Sequence, residues 1–303
     1  LVADLSRRLG LPTLRIAARQ AMRLMGAHFV FGETIDDALA RAQGRRERFS
    51  FDMLGEGARS GADAERYFEA YATAIRAIGA QAGDAPLPDR PGISVKLSAL
   101  HPRYEALSRE RVLRDLPGRV LELARLAKAH DLAFTIDAEE ADRLELSLDV
   151  IARVAADPSL AGWEGFGLAV QAYQKRARPV IDYVADLAGA LDRRFMVRLV
   201  KGAYWDSEIK RAQERGLADY PVFTRKAMTD LNYGACAARL LAAPRLYPQF
   251  ATHNARSVAE ILARAGARDF EFQRLHGMGE ALYETLAQMN DAPVRVYAPV
   301  GPH

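Results

Sequence analysis

The sequence predicts an α/β fold, a distorted (β/α)8-type barrel preceded by N-terminal helices. Three observations point there. Short apolar runs alternate with helical segments after Gly92, the spacing of those runs matches a barrel unit, and almost every run ends in a polar or aromatic cluster.

The front of the chain reads as helix. Over residues 62–81, Phe68, Tyr71, Ile75 and Ile78 recur at helical spacing with little to break the pattern. Residues 5–25 read similarly, although Gly10 and Pro12 interrupt them, and residues 79–92, with Pro86, Pro88 and Pro91, read as a loop. The expected organisation is a helical segment, 1–92, followed by a barrel, 93–303.

Seven strand-like runs follow, at residues 93–97, 132–136, 166–170, 195–200, 249–252, 270–273 and 294–297. Helices fall between them, among them 139–156, with Leu144, Leu148, Ile151 and Val154 on one face, and 256–265, with Val258, Ile261 and Leu262. At roughly 31 residues per β/α unit, 93–303 holds about seven units. The expectation is therefore a barrel one unit short of eight, lacking the last helix and strand, in a chain that continues beyond His303. No Gly-x-Gly-x-x-Gly follows any strand, which weakens a dinucleotide-binding sheet as the alternative.

Composition narrows the function classes. With 50% hydrophobic and 27% charged residues the chain has enough apolar surface for a core, so disorder and collagen-like repeats are excluded. No run approaches the roughly 20 apolar residues of a membrane span, so any membrane contact is expected to be peripheral. The net charge of +3 is spread over interspersed residues, too weak a signal for a nucleic-acid partner. The single cysteine, Cys236, leaves no internal disulfide and no cysteine-cluster metal site, and a reducing, cytoplasmic setting is expected.

In such barrels the chemistry sits at the carboxyl ends of the strands. Those positions hold Lys96 and Ser98, Asp137 and Glu139, Gln171 and Tyr173, and then Arg198, Lys201, Tyr204 and Trp205. Thr252, His253 and Asn254 follow, then Gln273 and His276, and finally Tyr297. Glu139 and Glu140 read first as acidic residues at a helix N-terminus. Asp137, ending an apolar strand, reads as a buried carboxylate with a partner. The two strand-end histidines would suit a metal with Asp137, but without a His-x-His pair or His-Glu-x-x-His helix they read better as hydrogen-bonding residues. Tyr204 and Trp205 read either as core aromatics or, in a glycine-containing turn, as residues facing the mouth. Cations, amides and aromatics together suit a large, planar, anionic cofactor, with phosphates held by side chains and helix N-termini. A second class stays open at this point: a lyase or aldolase in which Lys96 or Lys201 forms a Schiff base.

These strand-end segments also resemble a known family. Ser94-Val-Lys-Leu-Ser-Ala-Leu-His-Pro-Arg-Tyr104, Phe134-Thr-Ile-Asp-Ala-Glu-Glu-Ala-Asp142 and Arg198-Leu-Val-Lys-Gly-Ala-Tyr-Trp-Asp-Ser-Glu-Ile-Lys210 are similar to the proline dehydrogenase domain of bacterial proline utilization A. Residues 51–59, 250–254, 272–280 and 297–301 match in the same order. The resemblance implies a distorted barrel that binds FAD and oxidises L-proline to 1-pyrroline-5-carboxylate by hydride transfer to flavin N5, with a quinone as electron acceptor. It implies that proline-like carboxylates bind as inhibitors. It puts Arg198 near flavin N5 and Gln171 near the pyrimidine edge. Asp137, Ala138, Val200, Lys201, Gly202, Ala203 and Trp205 would meet the FAD, as would Thr224, Thr252, His253, Asn254, Gln273 and Leu275. The substrate pocket would carry Lys96, Asp137, Arg198, Tyr204, Leu275 and Tyr297. The family also carries, after the Tyr297 motif, a helix with two adjacent arginines that pair with the substrate carboxylate; that helix is expected beyond this chain, which reads as part of a longer protein.

Overall fold

Eight parallel strands close into a barrel in simple sequence order, each paired with its neighbours and the last with the first. The computed structural model describes residues 29–302 together with Ile16 and Gly26; the helix expected over 5–25 falls outside the described residues. The order is α1 (Ile35–Ala42), β1 (Arg48–Met53), α2 (Gly61–Gln81), β2 (Gly92–Val95), α3 (Leu97–Leu100), α4 (Arg109–Ala129), β3 (Ala133–Ile136) and α5 (Leu144–Ala155). Then come β4 (Phe166–Gln171), α6 (Ala177–Ala190), β5 (Phe195–Val200), α7 (Trp205–Glu214), α8 (Lys226–Ala242), β6 (Leu246–Ala251), α9 (Ala255–Ala265), β7 (Glu271–Leu275), α10 (Glu280–Met289) and β8 (Val294–Val300).

The expected open edge is corrected by this topology. The eighth strand comes from the front of the chain, inside the stretch read as helical: β1 pairs with β2 through Ser50, Phe51 and Asp52, and with β8 along its whole length. The reason is local. Arg48-Phe-Ser-Phe-Asp-Met alternates polar and apolar residues, the period of a strand with two different faces. Phe49 and Phe51 enter the apolar layer, while Ser50 and Asp52 are buried polar groups turned the other way.

The helices start and pack where their sequences dictate. Thr34 and Ser60 cap α1 and α2 with reciprocal bonds to Asp37 and Asp63, satisfying amides that the first turn leaves free. The face of α2 that sequence periodicity marks, Phe68, Tyr71, Ile75 and Ile78, is buried. Helix α5 begins later than expected, at Leu144, because residues 139–143 form a turn that keeps Glu139 and Glu140 beside the barrel mouth.

The apolar core lies between sheet and helices. Outward-facing Phe134, Phe166, Phe195, Phe250 and Phe272 meet the helical side chains Ile75, Val120, Ile151, Ile181 and Ile261 in one cluster. The barrel interior is polar instead. Ser50, Ser94, Arg198, Gln249, Glu271, Gln273 and Arg295 are all buried there and cross-link strands by side-chain hydrogen bonds. A buried polar group is costly unless paired, so this interior holds together as a network.

Candidate active site

The strand ends converge on a cavity of about 520 Å³ at the carboxyl end of the barrel. Its deepest charged group is Arg198, on β5. The guanidinium donates from Nε to Gln273 Oε1 (2.7 Å), from Nη1 to Asp137 Oδ1 (2.5 Å), and from Nη2 to Ser94 Oγ (2.9 Å) and Ser50 Oγ (3.2 Å). Four strands or strand ends thus hold one cation whose side chain is only 4% exposed.

Asp137, just past β3, ties Tyr297 and Lys96 together. Its Oδ2 accepts from the Tyr297 hydroxyl at 2.7 Å and lies 3.6 Å from Lys96 Nζ. Lys96 donates to Asp52 Oδ1 at 2.7 Å and to the Tyr297 hydroxyl at 3.3 Å. Burial alone would pull the Lys96 pKa down, but Asp137 and Asp52 outweigh it and hold the ammonium well above its ordinary range. Burial, and after it the neighbouring Asp137 carboxylate, pushes Asp52 up against the pull of Lys96. Burial and the two carboxylates likewise raise Tyr297, so its phenol keeps the proton it donates. A Schiff-base lysine must present a neutral amine; Lys96, clamped as an ammonium between two carboxylates, is poorly suited to that role.

Farther out, Lys201 and Lys226 converge on Asp230, Lys201 on Oδ1 and Lys226 on Oδ2 at 2.6 Å. Two cations on one carboxylate leave positive charge in excess beside the N-terminus of α8, a natural place for phosphate. Between this end and Arg198 the wall is built of small residues, Ala138, Ala169, Gly202, Ala203 and Ala251. A flat ring system can lie against such a surface. Gly202 is required by the fold as well: its φ is +143°, and a Cβ there would come within 2.4 Å of the Tyr173 ring.

Most of the residues singled out in the sequence share this cavity. Lys96, Asp137, Ala138, Gln171, Arg198 and Val200 line it, as do Lys201, Gly202, Ala203 and Tyr204. Thr252, His253, Asn254, Gln273, Leu275 and Tyr297 complete that set. Several also hold local structure: Gln171 accepts from Ala203 N and donates to Glu139 O, and Asn254 caps α9. His253 Nε2 accepts from Leu275 N at 3.0 Å, and burial followed by Arg274 lowers its pKa, so the ring is a neutral hydrogen-bonding residue.

Other strand-end residues stand apart from the cavity. Trp205 is 43% exposed and donates to Phe223 O, and Thr224 is an exposed residue just before α8. Glu139 accepts from Ser98 N and pairs with Arg143; Ser98 Oγ accepts from Gly57 N. Tyr173 is buried beneath Gly202, and His276 packs edge-on against Phe31 with no partner for either ring nitrogen among the described residues. No group of three or more His, Cys, Asp or Glu placed to hold a metal occurs among the described residues. Sequence reasoning missed Asp52, Ser50, Ser94 and Lys226; the two-residue alternation of β1 and β2 was the available signal for the first three.

Comparison with known proteins places this geometry in a family. The family described as proline dehydrogenase matches residues 35–303. The chain is 53% identical to the bifunctional protein PutA of Klebsiella aerogenes over 97% of its own length, which is 23% of that relative. It is 30% identical to proline dehydrogenase 1 of Bacillus subtilis subsp. natto, covering 95% of this chain and 85% of the relative. Among solved structures, a mutant of Bradyrhizobium japonicum proline utilization A superposes with a TM-score of 0.88 at 70% identity, over 98% of this chain and 31% of that one. Proline utilization A from Bdellovibrio bacteriovorus, described as inactivated by N-propargylglycine, gives 0.90 at 30% identity, over 97% and 33%. The chain spans about a quarter to a third of the length of the bifunctional proteins it matches. With a closed eight-stranded parallel barrel and a match to the family across it, the chain belongs to the proline dehydrogenase family.

Proposed function

We propose that this chain carries an FAD-dependent L-proline dehydrogenase, oxidising L-proline to 1-pyrroline-5-carboxylate with a quinone as electron acceptor. The observation that carries the reading is the linked set Lys96, Asp137, Tyr297 and Arg198 at the mouth of a proline dehydrogenase family barrel. Bound FAD would supply a two-electron acceptor for the hydride leaving the substrate ring.

The remaining chemistry belongs to the protein. Lys96, held as an ammonium, offers its charge to the carboxylate of an imino acid. Tyr204, Leu275 and Tyr297 give the apolar walls that close on a small ring. Asp137 keeps Lys96, Tyr297 and Arg198 in fixed relation, which lowers the reorganisation needed in the reaction. Arg198 presents a preorganised positive charge from a buried position, where such charge acts most strongly on negative charge developing nearby. Lys201 and Lys226 would meet the diphosphate.

The test is the visible absorption spectrum of the FAD-loaded chain before and after anaerobic addition of L-proline. A flavin spectrum that bleaches supports the reading. A chain that takes up no FAD, or a flavin left oxidised at high L-proline, overturns it.

A further inference from the structure

We propose that Glu271, at the closed end of the barrel, is the positioning residue that sets how Arg198 is presented to the cavity. It acts through the side chain of Gln273 and does not reach the cavity itself. The inference deepens, and rests on, the flavin-dependent reading above.

Glu271 is fully buried, with a side-chain exposure of 0%. Its carboxylate is saturated. Oε1 accepts from Gln249 Nε2 (2.8 Å), Gln273 Nε2 (2.9 Å) and Arg295 Nε (2.6 Å); Oε2 accepts from Arg48 Nη1 (2.8 Å) and Arg295 Nη2 (3.0 Å). Burial would raise its pKa, but Arg295 and then Arg48 prevail and hold it below the ordinary range. It is an ionised, acceptor-only group at neutral pH.

That asymmetry propagates. A glutamine amide has a donor end and an acceptor end of nearly equal shape, and its surroundings decide which end faces where. Glu271 and Gln273 stand two residues apart on β7 and share its inward face. A carboxylate at 271 admits only the amide nitrogen of Gln273, so the amide oxygen turns toward the cavity and accepts from Arg198 Nε. The Gln273 amide is the one link in this series with a choice of direction; beyond it Arg198 donates to Asp137, which also accepts from Tyr297. A neutral amide at 271 offers a donor as well. Gln273 can then turn over, placing its nitrogen against the Arg198 Nε–H, and the guanidinium loses its Nε bond while keeping those to Asp137, Ser94 and Ser50.

A purely structural role, in which Glu271 only neutralises Arg48 and Arg295, makes different predictions. The test compares Glu271→Gln, Glu271→Asp and the exchange Glu271→Gln/Gln273→Glu, which moves the carboxylate one step nearer to Arg198. Three quantities are measured on the full chain: the Arg198 Nε–H NMR resonance without flavin, assigned with Arg198→Lys; the midpoint potential of bound FAD; and its rate of reduction by L-proline.

Glu271→Gln is expected to abolish the slow-exchanging Arg198 Nε–H signal, shift the potential negative and slow flavin reduction by about tenfold or more. The exchange variant is expected to recover the signal and most of the rate. Should Glu271→Gln not fold, Glu271→Asp keeps the charge for Arg48 and Arg295 while drawing it away from Gln273, and the same three changes are expected. A lowered melting temperature with the Arg198 signal and potential unchanged overturns the proposal, as does an exchange variant that recovers nothing. If the parent chain binds no flavin or is not reduced by L-proline, the functional reading fails, while the Arg198 resonance still decides the claim about Glu271.

Discussion

The Tyr297 hydroxyl donates to Oδ2 of Asp137 at 2.7 Å, joining β8 to the end of β3 across the mouth of the barrel. The other Asp137 oxygen is held by Arg198, and the Tyr297 ring lies 5.0 Å from the Arg198 guanidinium. A cavity-lining aromatic and a deep cation are therefore set by one carboxylate. Tyr297→Phe keeps the ring and removes the bond. A hydrogen bond to a charged group contributes about 1.5–3 kcal/mol. The expected outcome is a fall in kcat/KM for L-proline of about 10- to 100-fold, measured by steady-state kinetics, with FAD content unchanged.

Lys96→Met removes the ammonium that two buried carboxylates share. Breaking a buried ion pair by deleting one partner costs about 3–5 kcal/mol. The expected result is a sharply raised KM for L-proline together with a lowered melting temperature. Adding Asp52→Asn should restore much of the stability and none of the affinity. Calorimetry and kinetics on the single and double variants separate the two effects.

His276 gives the chain an acid sensitivity. Burial first, then the charges of Arg41 and Arg274, lowers its pKa from 6.5 to about 4. Between those values the unfolded chain binds a proton that the folded chain does not. Stability is therefore complete above pH 6.5 and declines as pH falls toward 4. Urea midpoints measured from pH 7 to 4.5 should fall, and His276→Phe, which keeps an aromatic ring beside Phe31, should flatten that slope.

Gly202→Ala forces a side chain into backbone at φ +143° and against Tyr173. Strain of this kind costs about 1–3 kcal/mol. Urea unfolding should register that loss, and Gly202→Ala/Tyr173→Leu should regain only the part due to the collision.

How much of this was legible beforehand varies by element. The runs at 93–97, 132–136, 166–170 and 195–200 were readable because their outward residues are apolar and continuous in character, and α2 because its buried face repeats at helical spacing. Strand β1 was missed because it alternates polar and apolar residues and sits within a helical neighbourhood. Its two-residue period is the mark of a strand with one face in the core and one in a polar interior. That missed period also hid Asp52, the closest ionic partner of Lys96.

The amino-acid sequence alone determined the barrel class and the strand-end residues, since both follow from local periodicity and from the rule that barrel chemistry lies at carboxyl ends. Which polar groups pair, and in which direction, was decided only by closure of the barrel. Closure brings Arg198, Gln273, Glu271 and Asp137, separated by up to 136 positions between Asp137 and Gln273, within hydrogen-bonding reach of a common network. Pairing in a buried interior depends on three-dimensional distance and on the absence of water, and neither is written in the spacing of residues along a chain.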